Sequence, residues 1–298
     1  MFNKYRATQH QVYIAARDHF IRHPEQLIAL ECHFIQQTHQ YLTAARDEIA
    51  RDYNEASYLY PFWQNYPPEE RGRQPRGDQF PWIEVGEHAI GTKLSRLLYN
   101  DYDLRDTGLP AGPDQRFVLS SPAISRLTSG YTDSAWLFID IKSVGPRDNF
   151  EHAVMSHNQV SGNGLWNHPE DGVRNDVLTA TGARTSHSFH CSVPPLYVLS
   201  DGTIAPVINV LIKPFYRMLA LSGNNERGQP LSSITVACIP NGLLLMNGPR
   251  YLSQHPGLFY PGKDDKSKNP LKVRARVSFP VLNSIADWRV QQVHIAAA

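Results

Sequence analysis

The chain has 298 residues, 41% of them apolar and 19% charged, and carries a net charge of +1. That length fits one large domain or two ordinary ones, and the near-neutral balance with a pI of 7.8 excludes purely non-specific nucleic-acid binding through a global basic field. Three widely spaced cysteines (Cys32, Cys191, Cys238) exclude a disulfide scaffold and read as reduced thiols, the N-terminus lacks a signal-peptide pattern, and the longest apolar run, around APVINVLI, is too short to span a bilayer.

In chain order, the first expectation is helix from about Gln9 to Asn54. Val12, Ala15, Ala16, Phe20, Leu27, Leu30, Phe34, Tyr41, Ala45 and Ile49 recur at helical spacing, with a break near His23-Pro24. NYPPEERGRQPRGDQFP then predicts a surface loop. Glu84 to Asn100 predicts a second helix, and Ser120-Ser121-Pro122 supplies a cap and a first-turn proline for a short one. Strand signals dominate afterwards. PPLYVLS-DG-TIAPVINVLI predicts a hairpin through a tight primed turn, and SITVACIP-NG-LLLM repeats the pattern with Asn-Gly. LKVRARVSFPVL is a further strand. Helices first and paired strands later predict an α/β or α+β domain around a mixed sheet, with no internal repeat and no linker strong enough to divide it.

WLFIDIKSVGPRD, Trp136 to Asp148, begins as a core strand and ends on two opposite charges. Strand alternation gives Leu137, Ile139 and Ile141 one face and Phe138, Asp140 and Lys142 the other. Upstream, GLPAGPDQRFVLS sets Asp114 before another β-like run, so Asp114 and Asp140 fall at the ends of two candidate neighbouring strands. Two carboxylates in one cleft repel unless one is protonated or a cation neutralises them. Mg2+ suits such a site because it is hard, prefers oxygen and leaves positions for water and phosphate. Lys142 would then orient an attacking water and stabilise charge building on phosphorus. Glu84 and Glu87, i to i+3 on one helix face, would add a carboxylate. The plain alternative is an ordinary ion pair at a strand end. A D-x-K triplet is short enough to arise by chance, and Asp264-Asp265-Lys266 is a second match in a polar turn.

YPGKDDKSKNPLKVRARVSF, Tyr260 to Phe279, holds six basic and two acidic residues between Lys263 and Arg276. Leu271, Val273, Ala275, Val277 and Phe279 alternate with Lys272, Arg274 and Arg276. Such a strand would present guanidinium forks to guanine O6 and N7 in a DNA major groove, while an aspartate accepts from cytosine N4. Lys263 and Asp265 together would read one G·C pair. A solvated edge strand, protected by its lysines, is the other reading.

These residues resemble the PD-(D/E)XK nucleases, and among them the type II restriction endonucleases. The matching stretches run in order from Asp52 to Val277: DYNEASYLYPFWQNYPP, WIEVGEHAIGTKL, GLPAGPDQR, FIDIKSVGPRD, NQVSGNG, PPLYVLSDGTIAPV, PNGL, PGKDD and RARV. The resemblance implies an α/β restriction-endonuclease-like core, a mixed central β-sheet flanked by helices, forming a single domain over 1–298. Within it, 1–54 would be N-terminal helices, 77–150 the catalytic core, and 190–282 a β-rich region with the DNA-recognition segment. It implies a homodimeric, Mg2+-dependent, cytoplasmic bacterial endonuclease cutting double-stranded DNA at GCCNNNNNGGC. A cognate DNA methyltransferase would belong to the same system without being a stable partner. Family catalytic positions fall on Asp114, Asp140 and Lys142, and metal positions on Asp114, Asp140, the Ile141 carbonyl and, through water, Glu87. Base-reading positions fall on Lys263, Asp265, Arg274 and Arg276.

Other features carry less. HSFHC, His187 to Cys191, lacks the second Cys/His pair that a zinc site needs. SGNG, Ser161 to Gly164, is a turn rather than a phosphate loop, and YLYPFWQNY reads as core and dimer-contact packing. Competing functions are a repair-nicking or junction-resolving nuclease of the same superfamily, and a sequence-specific DNA-binding protein with a silent nuclease site. Intact Asp114, Asp140 and Lys142 argue against the last.

Overall fold

Proline and apolar spacing divide the N-terminal region into helices. His23 separates α1 (Phe2–Arg22) from α2 (Pro24–Ala44), because Pro24 has no amide hydrogen and fits the first helical turn, where none is required. The structure, a computed structural model, describes residues 2–64, 82–107, 113–142, 149–156, 177–181, 186–190, 193–217, 219–220, 227–228, 230–261 and 274–295. A second interruption, at Ala45, was not expected; α3 (Arg46–Gln64) then runs ten residues past the predicted end at Asn54. The predicted loop from Asn65 to Pro81 lies outside the described residues, as does SGNG. Helix α4 (Trp82–Asp101) matches the second predicted helix.

The remainder is β-rich. In order come β1 (Asp103–Asp106), β2 (Gln115–Ser120), α5 (Pro122–Leu127), β3 (Ser134–Ile141), β4 (His152–Ser156), β5 (Val177–Thr181) and β6 (Ser186–His190). Then follow β7 (Leu196–Val198), β8 (Ile204–Tyr216), β9 (Leu219–Ala220), β10 (Arg227–Gly228), β11 (Leu231–Ile239), α6 (Gly242–Met246) and α7 (Tyr251–Gln254). The chain ends with β12 (Phe259–Pro261), β13 (Arg274–Ser278), α8 (Phe279–Ile285), a 3-10 turn (Asp287–Arg289) and β14 (Val290–His294). As expected, Ser121 caps α5 by accepting from the Ile124 amide at 3.3 Å. Residues His187 to His190 of HSFHC lie in β6, which pairs antiparallel with β5, and Cys191 lies outside the described residues. No helix among the described residues is long and apolar enough to cross a membrane.

The central sheet has the order β1-β2-β3-β8-β11-β14, with β7 also on β8. Strands β3 and β8 are parallel and the other pairs antiparallel, so the sheet is mixed, as predicted. Leu137, Ile139 and Ile141 pack with Ile208, Val210 and Ile212 against Leu30, Phe34 and Leu94 of the helices. The opposite face carries Leu211, Ala237 and Ile239 against Ala153, Ala275, Val277 and Phe279. These last belong to α8 and to a second sheet, β12-β13-β4. Strand β3 is buried along its whole length, with Trp136 and Phe138 of its other face packed beside Val118, Val207 and Tyr197. Each fully buried Leu or Ile there contributes about 1.5–3 kcal/mol.

Three turn and boundary predictions need correction. The Asp-Gly hairpin forms, but through a three-residue loop: Leu199 donates to Thr203 O, Gly202 donates to Leu199 O, and Gly202 takes φ +86°. A turn followed by a left-handed residue replaces the two-residue primed turn. Asn241-Gly242 makes no hairpin. Asn241 instead caps α6, its side chain accepting from the Leu243 amide at 2.9 Å and donating to Pro195 O and Val207 O at 2.6 and 2.9 Å. The basic strand ends at Ser278, which caps α8, rather than continuing through FPVL.

Gly242 is there for space: a Cβ would lie 2.0 Å from the Val193 carbonyl oxygen. Gly242→Ala should therefore cost about 1–3 kcal/mol, read as a lowered urea midpoint. An unchanged midpoint would mean that this backbone approach is slack.

Candidate active site

Strand pairing brings the charged ends together. Strands β2 and β3 are antiparallel with Gln115 opposite Ile139, a register that continued by one residue sets Asp114 beside Asp140. Asp114 Oδ2 accepts the Ile141 amide hydrogen at 2.6 Å. On the other side, the Lys142 amide donates to Ile212 O at 2.8 Å, extending the β3–β8 ladder. The site thus stands on the central pair of strands, with its backbone held from both neighbours. Helix α4 packs behind it: Ser95 Oγ donates to Gln115 Oε1 at 3.0 Å.

Asp140 is 2% exposed. Lys142 Nζ lies 2.8 Å from each of its carboxylate oxygens. Burial raises the Asp140 carboxyl to about 6; the Lys142 charge opposes that shift, and the Asp114 charge adds to it. Asp114 itself sits at the surface. The arrangement is a desolvated carboxylate, a second carboxylate at its edge, a main-chain carbonyl at Ile141 and an ammonium group, all at one strand end.

Of the predicted residues, Asp114, Asp140, Ile141 and Lys142 come together. Glu87 is half-buried on α4, two helical repeats of four residues before Ser95 and so on the same broad face. It does not join the aspartates in a cluster, since no group of three His, Cys, Asp or Glu side chains placed to hold a metal occurs among the described residues. The Glu84 side chain, Lys263 and Asp265 lie outside the described residues, as does the second D-x-K match. Arg274 opens β13 opposite Ser156; its side chain is not described. Arg276 stands opposite Val154 of β4 and Tyr260 of β12, its guanidinium 5.8 Å from the Tyr260 ring centre.

One conspicuous residue escaped sequence reasoning. Lys213 of β8 is 1% exposed, and its amine donates to the carbonyls of Asn149 and His152 at 2.6 and 2.5 Å. Its only signal in the sequence is a lysine inside the apolar run PVINVLIKPFY.

A family model described as "Restriction endonuclease BglI" matches residues 8–293. The type II restriction enzyme BglI of Bacillus subtilis is 47% identical over 289 residues, covering 96% of each chain. The crystal structure of the restriction endonuclease BglI bound to its DNA recognition sequence superposes with a TM-score of 0.87 at 46% identity, covering 100% of both chains. The tetrameric restriction endonuclease SfiI, solved with cognate DNA, shares the fold at a TM-score of 0.56 and 15% identity, over 90% of this chain and 84% of that one. With the family model spanning nearly the whole sequence and a close relative matched end to end, the chain belongs to the BglI family of type II restriction endonucleases.

Proposed function

We propose that the protein is a homodimeric, Mg2+-dependent type II endonuclease that hydrolyses both strands of duplex DNA at GCCNNNNNGGC. The observation that carries this reading is the Asp114–Ile141 hydrogen bond, which holds a second carboxylate against the Asp140–Lys142 pair. Each subunit would take one GCC half-site, because a two-fold symmetric target calls for a two-fold symmetric protein.

The donor set fits a hard divalent cation. Asp140 is held in a dry place with a second negative charge beside it, and a cation relieves both penalties. Asp114, Asp140 and the Ile141 carbonyl would hold Mg2+, with Glu87 contributing through water. When bound, the cation supplies Lewis-acid stabilisation of charge on the phosphoryl group. The chain's own part is positional. Asp140 keeps the Lys142 ammonium at the strand end, where it orients the attacking water and stabilises negative charge on the phosphate oxygens. The buried strands beneath fix this geometry before DNA arrives.

Lys263, Asp265, Arg274 and Arg276 would read the half-site. Replacing Arg276 by alanine should cost about 1–3 kcal/mol of discrimination at one G·C pair. Cleavage rates on duplexes changed at single positions measure this, and an unchanged preference counts against the recognition strand. The whole reading is tested by digesting a sequenced plasmid with and without Mg2+ and mapping the ends. Ends only at GCCNNNNNGGC support it; nicks in one strand or cuts at branched structures favour a repair or junction nuclease. Binding without cleavage favours the silent-site alternative.

A further inference from the structure

Strand β3 ends beside Lys142, and β4 pairs directly with β13 and so with Arg274 and Arg276. The turn at 149–152 leads directly into β4 and so to the candidate reading strand. Lys213 grips that turn. Parallel register sets Ile212 opposite Ile141, hence Lys213 beside Lys142 on β8. From there its amine reaches Asn149 O and His152 O, at the two ends of the turn. Its ammonium also lies 5.1 Å from the Phe215 ring and 5.9 Å from the ring of Phe279, the residue after β13. Two more contacts fix the same turn: the Phe279 amide donates to Glu151 O at 2.8 Å, and the Phe150 ring stacks on Phe215 at 4.2 Å.

Burying an ammonium is costly, and an apolar side chain of similar length would fill the same space at a lower cost. What an apolar residue lacks is two directed bonds to fixed carbonyls. We propose that Lys213 is a positioning residue that couples base reading to cleavage. It ties the start of β4 to β8, the strand paired with the one that carries the site, so the placement of β13 on DNA is transmitted through β8 to Asp140 and Lys142. This inference rests on the assignment of those residues and of Arg276 made above.

The test uses the full-length enzyme with Mg2+ and single-turnover cleavage of two duplexes, one with the cognate site and one altered at a single G·C pair. Lys213→Met keeps the length and removes the bonds. The folded variant should cut the cognate duplex about 10–100-fold more slowly at saturating enzyme, with a narrowed cognate-to-altered ratio. A residue that only supports the fold would leave both quantities unchanged in folded protein. Phe150→Ala, at a side chain 53% exposed, loosens the turn from outside and should narrow the ratio less. Should Lys213→Met not fold, Phe150→Ala decides the matter. Unchanged rate and ratio in the folded variants overturn the coupling when Arg276→Ala still relaxes specificity. An Arg276→Ala enzyme with unaltered preference overturns the recognition assignment instead.

Discussion

Replacing Asp140 by asparagine is expected to abolish Mg2+-dependent cleavage, leave DNA binding largely intact and stabilise the metal-free protein at neutral pH. The first effect follows from losing the carboxylate that would anchor both the cation and Lys142. The third follows from burial. Asp140 has its carboxyl raised from 3.8 to about 6 in the folded chain. Between those values the folded state binds more protons than the unfolded one, so stability falls as pH rises across the window. The contribution is fully present below about pH 4 and is lost as pH passes through about 6, some 3 kcal/mol for a shift of about two units. Asparagine does not titrate and escapes that loss. Urea unfolding in EDTA at pH 5 and pH 7.5 should show wild type losing stability between the two and Asp140→Asn holding level. Added Mg2+ should reverse the ranking, because a ligand that binds only the folded state stabilises it. Full cleavage by Asp140→Asn would remove Asp140 from the reaction.

The second large effect is expected at Arg289. Its guanidinium donates to Glu31 Oε2 at 2.7 Å, both side chains being fully buried. Glu31 Oε1 also accepts the Asn241 amide at 2.5 Å, so one carboxylate joins α2, the start of α6 and the C-terminal 3-10 turn. Burial pushes the Glu31 carboxyl up, offset only in part by Arg289. Burial works against the charge on Arg289 more than any other single influence, and Glu31, Cys238 and Tyr251 together outweigh it. Arg289→Met leaves a buried carboxylate without its counter-charge and should cost about 3–5 kcal/mol. Against a typical total of about 5–15 kcal/mol, that is a large share of the fold's margin. Adding Glu31→Gln to Arg289→Met should recover part of the loss, because the orphaned charge is gone while an acceptor for the Asn241 amide remains. Denaturant midpoints of the single and double variants measure this. A single variant as stable as wild type, or a double variant no better than the single, would show that the pair is not coupled as described.

Much of this architecture was legible in the sequence, for reasons that differ by element. The break at His23-Pro24 and the cap at Ser121 are local chemistry, and both are where local chemistry puts them. The interruption at Ala45 has no comparable marker. Ser278-Phe279-Pro280 does contain a cap and an early proline, but the clean alternation before it masked the helix start. Asn-Gly was ambiguous in principle, since a primed turn and a helix cap favour the same asparagine. What decides between them is the approach of Val193, Pro195 and Glu31, all distant in sequence. In the site, alternation placed Asp140 and Lys142 together, and the approach of Asp114 required only that β2 and β3 be neighbours. Lys213 was out of reach because main-chain carbonyls are its partners, and every residue type provides those.

Glu31 and Arg289 are 258 residues apart. On a ribosome adding about 5–20 residues per second, the N-terminal carboxylate waits roughly 10–50 s for its counter-ion. Until then the helical layer lacks the clamp that joins it to the 3-10 turn before β14, and a nascent chain remains open to chaperones and proteases. A chain cut short before Arg289 never leaves that condition. For a DNA-cutting enzyme this makes rigidity wait on synthesis as far as Arg289.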